Sequence, residues 1–333
     1  MAEKKLRVGL VGLGVMGRHH ARILSSLDGV ELIAVSDPIG DPHNIAGAHQ
    51  LFSSVTELIS EGIDYGMVAA PTAFHEELAL ELAAAGVPAL IEKPLALDTP
   101  SAQRIFEAFR DKGLVGAVGH IERYNPALQQ LRTRLDAGEL GAIYQITTRR
   151  QGPFPARITD VGVVKDLATH DIDSTAWVAR SRFVSVSAQA AYKSGRQHED
   201  MVALVGQLSN GIITNHLVNW LTPFKERLTI VSGERGTFVA DTLTGDLTFY
   251  SNSSIGDKAY ETSVFRGVSE GDVIRYAFAK REPLRLEHEA FRDAILGLPG
   301  ANERIVTMQE GLATVAVADA ILQSITSKEV VSL

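Results

Sequence analysis

The chain has 333 residues, enough for two domains with a sizeable core, and its 45% hydrophobic and 22% charged residues are the mix of an ordinary globular protein. A net charge of −8 gives no electrostatic basis for holding nucleic acid or an anionic membrane surface. With no cysteine, disulfides, a thiol nucleophile and thiolate zinc sites are excluded, which suits a reducing cytoplasm.

Residues 6–11 read as a short apolar strand, which leaves no room before it for a signal peptide. The strand enters Gly12-Leu13-Gly14-Val15-Met16-Gly17, and a helical stretch from Arg18 follows. Glycines at this spacing allow a tight turn, close approach of backbone to a pyrophosphate, and close packing of helix on strand. Val15 and Met16 open the helix, where free N–H groups and the helix dipole favour phosphate. Residues 31–36 read as the second strand, and Asp37 follows, twenty residues after Gly17. That is where the acid that binds the ribose hydroxyls belongs. No Arg or Lys follows in Pro38-Ile39-Gly40 to hold a 2′-phosphate, so NAD is expected over NADP.

Ser54-Val55-Thr56-Glu57 is a capping box before the next helix. Residues 65–70 read as a buried strand; Phe74, Leu78 and Leu82 then recur every four residues until Gly86. Residues 87–91 are another strand, Thr99-Pro100 looks like a helix start, and residues 114–119 form a last short strand. Alternating strand and helix predicts a doubly wound parallel sheet, a Rossmann domain over residues 1–120.

Residues 121–333 have a different texture. Residues 127–135 are helical, then β-rich runs cover 183–192, 201–208, 212–221, 227–231, 237–243 and 246–250. Asn210-Gly211 between two of them is a hairpin signal. Helices close the chain at 287–296 and 306–326. The expectation is an α+β domain with a large, mostly antiparallel open sheet, one face of which meets another copy in a homodimer or homotetramer. The longest apolar stretch, from Leu312 to Ile325, is too short for a membrane span and carries Asp319.

One run stands out for chemistry. Asp166, His170 and Asp173 fall at i, i+4 and i+7, which on a helix stacks two carboxylates and an imidazole along one face. A carboxylate one turn before a histidine fixes its tautomer and raises its basicity, as a general base requires. Asp173 either holds a neighbouring hydroxyl or caps backbone N–H groups. The bland alternative for the whole run is a capped, solvated helix start. No histidine spacing suggests a metal site.

The Rossmann start, Glu92-Lys93-Pro94 after a strand, and the D-x-x-x-H run at Asp166 and His170 together resemble the Gfo/Idh/MocA oxidoreductases, over essentially the whole chain. The resemblance implies NAD(P)-dependent oxidation or reduction at a sugar or polyol carbon. It implies Lys93 near the reacting oxygen, His170 as the acid/base, and a cis bond between Lys93 and Pro94. It also implies that Pro71, Thr72, His75 and Glu92 line the cofactor, although packing or capping is the competing reading for His75. The chain departs from the family pattern at Ala168, where glycine is usual.

Two further segments, residues 119–127 and 149–157, resemble the nucleotide-sugar 3-dehydrogenases within that family. They carry Arg123, Asn125, Arg149, Arg150 and Arg157, and guanidinium forks suit the oxygens of a diphosphate. Solvated strand faces are the alternative for these arginines. The expected substrate is therefore a sugar or nucleotide sugar. A free-sugar or inositol dehydrogenase, or a non-catalytic nucleotide-binding regulator, are the other readings.

Overall fold

The computed structural model describes residues 5–155, 161–253 and 270–333. The chain divides into two compact units, Met1–Tyr124 with Arg281–Asp319, and Asn125–Lys280 with Ala320–Leu333.

The first unit is built on six parallel strands: β1 (Leu6–Val11), β2 (Val30–Ser36), β3 (Gln50–Phe52), β4 (Tyr65–Val68), β5 (Ala89–Glu92) and β6 (Gly116–Gly119). They lie in the order β3-β2-β1-β4-β5-β6, the reversal beside β1 marking a doubly wound sheet. Every residue of β4 and β5 is buried, as strands covered on both faces require. One face packs on α2 (Val55–Ser60), α3 (His75–Ala84) and α4 (Thr99–Asp111), through Leu58, Leu82, Ile105 and Phe109. The other packs on α1 (Val15–Leu24) and on α7 (Pro283–Ile295), through Leu24, Ala290, Phe291 and Ala294.

Helix α7 lies within residues 121–333, which the chain pattern assigns to the second domain, yet it belongs to the first unit. The reason is its apolar stripe: Phe291 meets Tyr65 of β4 edge-on at 5.3 Å and fills a sheet face that α1 alone does not cover. Two smaller departures have local causes. Phe74 is 52% exposed because it sits in the 3₁₀ turn before α3 rather than on its buried face. Helix α4 is capped by Asp98, which accepts from Ser101 N–H at 2.9 Å, while the Thr99 hydroxyl donates to Asp319 at 2.7 Å. The Ser54–Glu57 capping box forms as read.

The second unit carries α5 (Pro126–Asp136), α6 (Thr169–Ala179) and a sheet of nine strands. The strands are β7 (Ile143–Pro153), β8 (Phe183–Ala191), β9 (Met201–Leu208), β10 (Ile213–Asn219), β11 (Leu221–Gly233), β12 (Gly236–Asp241), β13 (Asp246–Asn252), β14 (Glu270–Arg275) and β15 (Val331–Ser332). Their order is β14-β13-β12-β11-β7-β10-β9-β8-β15, with every pairing antiparallel except β7 on β10. The central strand β7 is absent from the runs expected from sequence. Its inward residues Thr148 and Arg150 are polar, so it shows no apolar alternation. Among the described residues no helix is long and apolar enough to cross a membrane.

Candidate active site

The turn between β1 and α1 is shaped by its glycines. Gly12 has φ +92°, and a Cβ there would lie 2.7 Å from the backbone of Ala69 and Ala70. A Cβ on Gly17 would run into the carbonyl oxygen of Gly12, so helix and turn meet only through glycine. Gly14 is different: the space over it is open, and as N-cap of α1 it offers no side-chain cap. The first N–H groups of α1, at Val15 and Met16, thus face a cradle that suits an anion. Asp37 follows β2, and its carboxylate accepts from Leu13 N–H at 2.8 Å and Ile39 N–H at 2.9 Å. Those bonds tie the acid to the glycine turn and leave lone pairs for ribose hydroxyls. Ile39 is 87% exposed and supplies no cation for a 2′-phosphate. This donor set fits NAD.

At the end of β5 the Lys93–Pro94 bond is cis. Glu92 beneath it accepts from Lys93 N–H at 3.0 Å and bonds His20 Nε2 at 2.9 Å. Burial alone would raise its carboxyl, but the His20 hydrogen bond and the nearby positive groups hold it below the ordinary carboxylate range. His20 in turn bonds His288 of α7 at 2.8 Å, and burial pushes His288 well below the usual imidazole range. The neighbouring Glu287 is pushed well above its ordinary value by burial and by the Glu92 charge.

His75 directs both ring nitrogens at backbone carbonyls. It is buried, with Nδ1 2.9 Å from Pro94 O and Nε2 2.9 Å from Ala70 O, so the packing alternative holds. Its imidazole braces the E-K-P turn against the end of β4. Pro71 is exposed and Thr72 half-buried at the 3₁₀ turn that opens α3.

In the second unit, Asp166 lies in a wide π-type turn over Val164–Ala168, not in a regular α-helix. Thr169 N–H reaches back five residues to Val164 O, and α6 begins there. Asp166 and Asp173 are buried and His170 is half-buried along this run. The next residue, Asp171, pins α6 to the sheet. Arg150 Nε donates to it at 2.7 Å, both partners being almost fully buried. The Thr148 hydroxyl donates to its other oxygen at 2.8 Å. That hydroxyl has one proton, so it accepts from His216 Nδ1 at 2.7 Å, and His216 Nε2 accepts from Thr214 at 3.0 Å. Burial pushes His216 down to about 4, consistent with the neutral ring this chain needs. Asp171 adjoins the histidine, but its supports Thr148 and His216 come from two other elements, so the group has no sequence signature.

The remaining substrate candidates scatter. Arg150 is consumed by Asp171, and alternation along β7 turns Arg149 to the opposite sheet face, where it lies 3.3 Å from Glu226. The structure therefore does not gather Arg149 and Arg150 into an exposed basic cluster beside His170. Arg157 lies outside the described residues. Arg123 is buried in the first unit against Glu310 at 2.6 Å. Asn125 caps α5 through Ala127 N–H at 3.0 Å and donates to Thr242 O at 2.9 Å, so both ends of its amide serve backbone. Lys93 belongs to the first unit, and Asp166, His170 and Asp173 to the second.

Comparison with known proteins agrees with this two-part architecture. Residues 6–120 match the family described as "Oxidoreductase family, NAD-binding Rossmann fold", and residues 128–239 match the Gfo/Idh/MocA C-terminal domain. An inositol 2-dehydrogenase of Corynebacterium glutamicum (strain R) is 31% identical over 230 residues, 65% of this chain and 68% of that protein. A UDP-N-acetylglucosamine 3-dehydrogenase of Acidithiobacillus ferrooxidans is 33% identical over 213 residues, 63% of this chain and 66% of that protein. The solved structure of the Acidithiobacillus ferrooxidans enzyme superposes with a TM-score of 0.81 at 27% identity, covering 97% of this chain and 98% of that one. The protein is an NAD-dependent dehydrogenase of the Gfo/Idh/MocA oxidoreductase family.

Proposed function

We propose that the protein oxidises a secondary hydroxyl of a sugar to a ketone, and that its substrate is a UDP-N-acetylhexosamine oxidised at the 3-hydroxyl. The observation that carries the substrate is the end-to-end likeness to the UDP-N-acetylglucosamine 3-dehydrogenase structure, through both units. Gly12, Gly14, Val15, Met16 and Asp37 would hold the pyrophosphate and ribose of NAD, and Pro71, Thr72, Glu92 and Lys93 its nicotinamide end. Bound NAD supplies the hydride acceptor.

The chain's own residues handle the proton. The hydroxyl proton passes to His170 as the carbon–hydrogen pair leaves and the carbonyl forms. Asp166 steadies the imidazole, and the Lys93 ammonium stabilises negative charge building on the oxygen. Asp173 and Arg157 are the residues assigned to the sugar and its diphosphate.

An inositol dehydrogenase is the second reading. It is favoured by the fate of Arg149 and Arg150, which leaves Arg157 as the remaining guanidinium of that cluster. Turnover of UDP-N-acetylglucosamine and of myo-inositol, compared side by side, decides between them. Arg157→Ala should raise KM for the nucleotide sugar while kcat holds, since a remote diphosphate contact is uniform binding. Turnover of inositol alone would overturn the first reading. We also infer a cytoplasmic homo-oligomer. Exposed Val205 and Ile213 on the β9–β10 sheet face support self-association, and sedimentation would test it.

A further inference from the structure

The connection from β8 to β9 is a built loop. Asp200 closes it: its N–H bonds Ala191 O at 2.9 Å, and its buried carboxylate accepts from Lys193 N–H at 2.6 Å, Ser194 N–H at 2.8 Å and the Ser194 hydroxyl at 2.7 Å. From this base the loop reaches the start of the wide turn that leads to His170. Glu199 O accepts from Val163 N–H at 3.0 Å, and Glu199 Oε1 accepts from Val164 N–H at 2.9 Å. Arg196 Nη2 donates to Val161 O at 2.8 Å. The Arg196 guanidinium also packs over the rings of Phe154 at 4.8 Å and Trp220 at 5.4 Å.

A helix start leaves N–H groups without intrahelical partners, and Val163 offers no side-chain cap. Glu199, thirty-five residues away in sequence from Val164, performs that task and is itself buried. Gly162 makes room for it, because a Cβ at that position would strike the Glu199 carboxylate. The carbonyl of Gly162 then receives Asp166 N–H at 3.1 Å. The run that bears Asp166 and His170 is therefore fixed at both ends, by Glu199 before it and by the Asp171–Arg150 pair after His170.

We propose that Glu199 is a positioning residue for the acid/base, setting where the His170 run begins, with Gly162 as the space it needs. This rests on the assignment of His170 as acid/base. Steady-state kinetics on wild type, Glu199→Ala, Glu199→Gln, Gly162→Ala, Gly162→Ala/Glu199→Ala and His170→Ala test it, with whichever of the two substrates above is turned over.

Glu199→Ala should lower kcat on the order of 10- to 100-fold, the effect of misplacing a reacting group by about 1 Å, with KM for NAD unchanged. Glu199→Gln keeps an acceptor for Val164 N–H and should recover most of the rate. Gly162→Ala should lower kcat by itself, yet add little to Glu199→Ala, because the carboxylate it collides with is gone. Folded Glu199→Ala with wild-type kcat overturns the proposal, as does a loss in Glu199→Gln as large as in Glu199→Ala. If Glu199→Ala does not fold, Gly162→Ala and Glu199→Gln decide: wild-type kcat in Gly162→Ala overturns it. His170→Ala separates the two ideas. Full turnover there sinks the acid/base assignment, whereas a dead His170→Ala beside an unimpaired Glu199→Ala sinks only the role of Glu199.

Discussion

Two helix starts carry the residues proposed for cofactor and proton, and they are built in opposite ways. The first, at α1, is made of residues adjacent in sequence. Gly12, Gly14 and Gly17 shape the backbone, and Gly14 leaves the helix end without a side-chain cap. The second, before α6, is closed by Glu199 and Arg196 from the β8–β9 loop and anchored one residue past His170 by Arg150 of β7. The difference follows from what each must do. A helix end that receives a ligand's phosphates must stay open. A helix that presents a working side chain must be held still, and the groups that hold it come from wherever the fold brings them.

That contrast can be broken most forcefully at His170. His170→Ala should cut turnover by about 10²–10⁴-fold, the usual worth of a positioned acid/base, while an NAD titration stays as in wild type. Under the proposed mechanism Lys93→Ala should do comparable damage, and the double variant should lose less than the product of the two. Equal damage to NAD affinity in His170→Ala would erase the distinction between the two starts.

Arg150→Ala strands a buried carboxylate at Asp171 and should cost roughly 3–5 kcal/mol of stability, visible as a large drop in melting temperature. A near-normal melting curve would mean that the anchor of α6 lies elsewhere. The same anchor carries a pH signature through His216, whose imidazole burial pushes to about 4. In the unfolded chain that ring takes a proton near pH 6.5, so between about 6.5 and 4 the unfolded state binds more protons and stability falls as pH falls. The contribution is on the order of 3 kcal/mol across that window. His216→Gln should flatten this part of the stability–pH curve, and an unchanged slope would remove His216 from it.

At the open start the expected effects are smaller. Asp37→Ser with Ile39→Arg should move cofactor preference from NAD toward NADP by about tenfold to a hundredfold, the worth of one or two charged hydrogen bonds. Tighter NADP binding by the wild type would contradict the reading of Asp37. The smallest effect belongs to Arg149→Ala: KM for the sugar should hold, because the side chain faces away from α6. A raised KM would put the β7 arginines back in the substrate site.

The open start was legible from the chain because its physics is local. Gly12, Gly14, Gly17 and Asp37 each declare a backbone need within one βαβ unit. The parallel sheet and most strands of the second unit follow from apolar runs of matching length. Three things resisted. Strand β7 carries a buried Thr148 and Arg150, so polar residues hid a central strand and looked like a basic patch. Helix α7 shows an apolar stripe, but a stripe does not say which sheet it will cover. Asp166 and His170 stood out as a pair, yet their supports, Asp171, Thr148, His216 and Glu199, gain meaning only once β7, β10 and the β8–β9 loop are side by side. His75 could be read two ways for a related reason, since a histidine near a cofactor turn looks the same in sequence whether it faces ligand or carbonyl.

The wide turn over Val164–Ala168 holds one residue more than an α-helix would need for the same advance. Its existence makes reading frame along the helix, and not only residue identity, part of the site. Losing a single codon there would let the segment wind as an unbroken α-helix, displacing everything on one side of the gap by about 100°. Asp171 is locked to Arg150, so the rotation would fall upstream, turning the residues before the gap relative to His170 and pulling Val163 and Val164 from Glu199. Substitutions at Leu167 or Ala168 that preserve the count should be tolerated far better than any in-frame deletion between Val164 and Thr169.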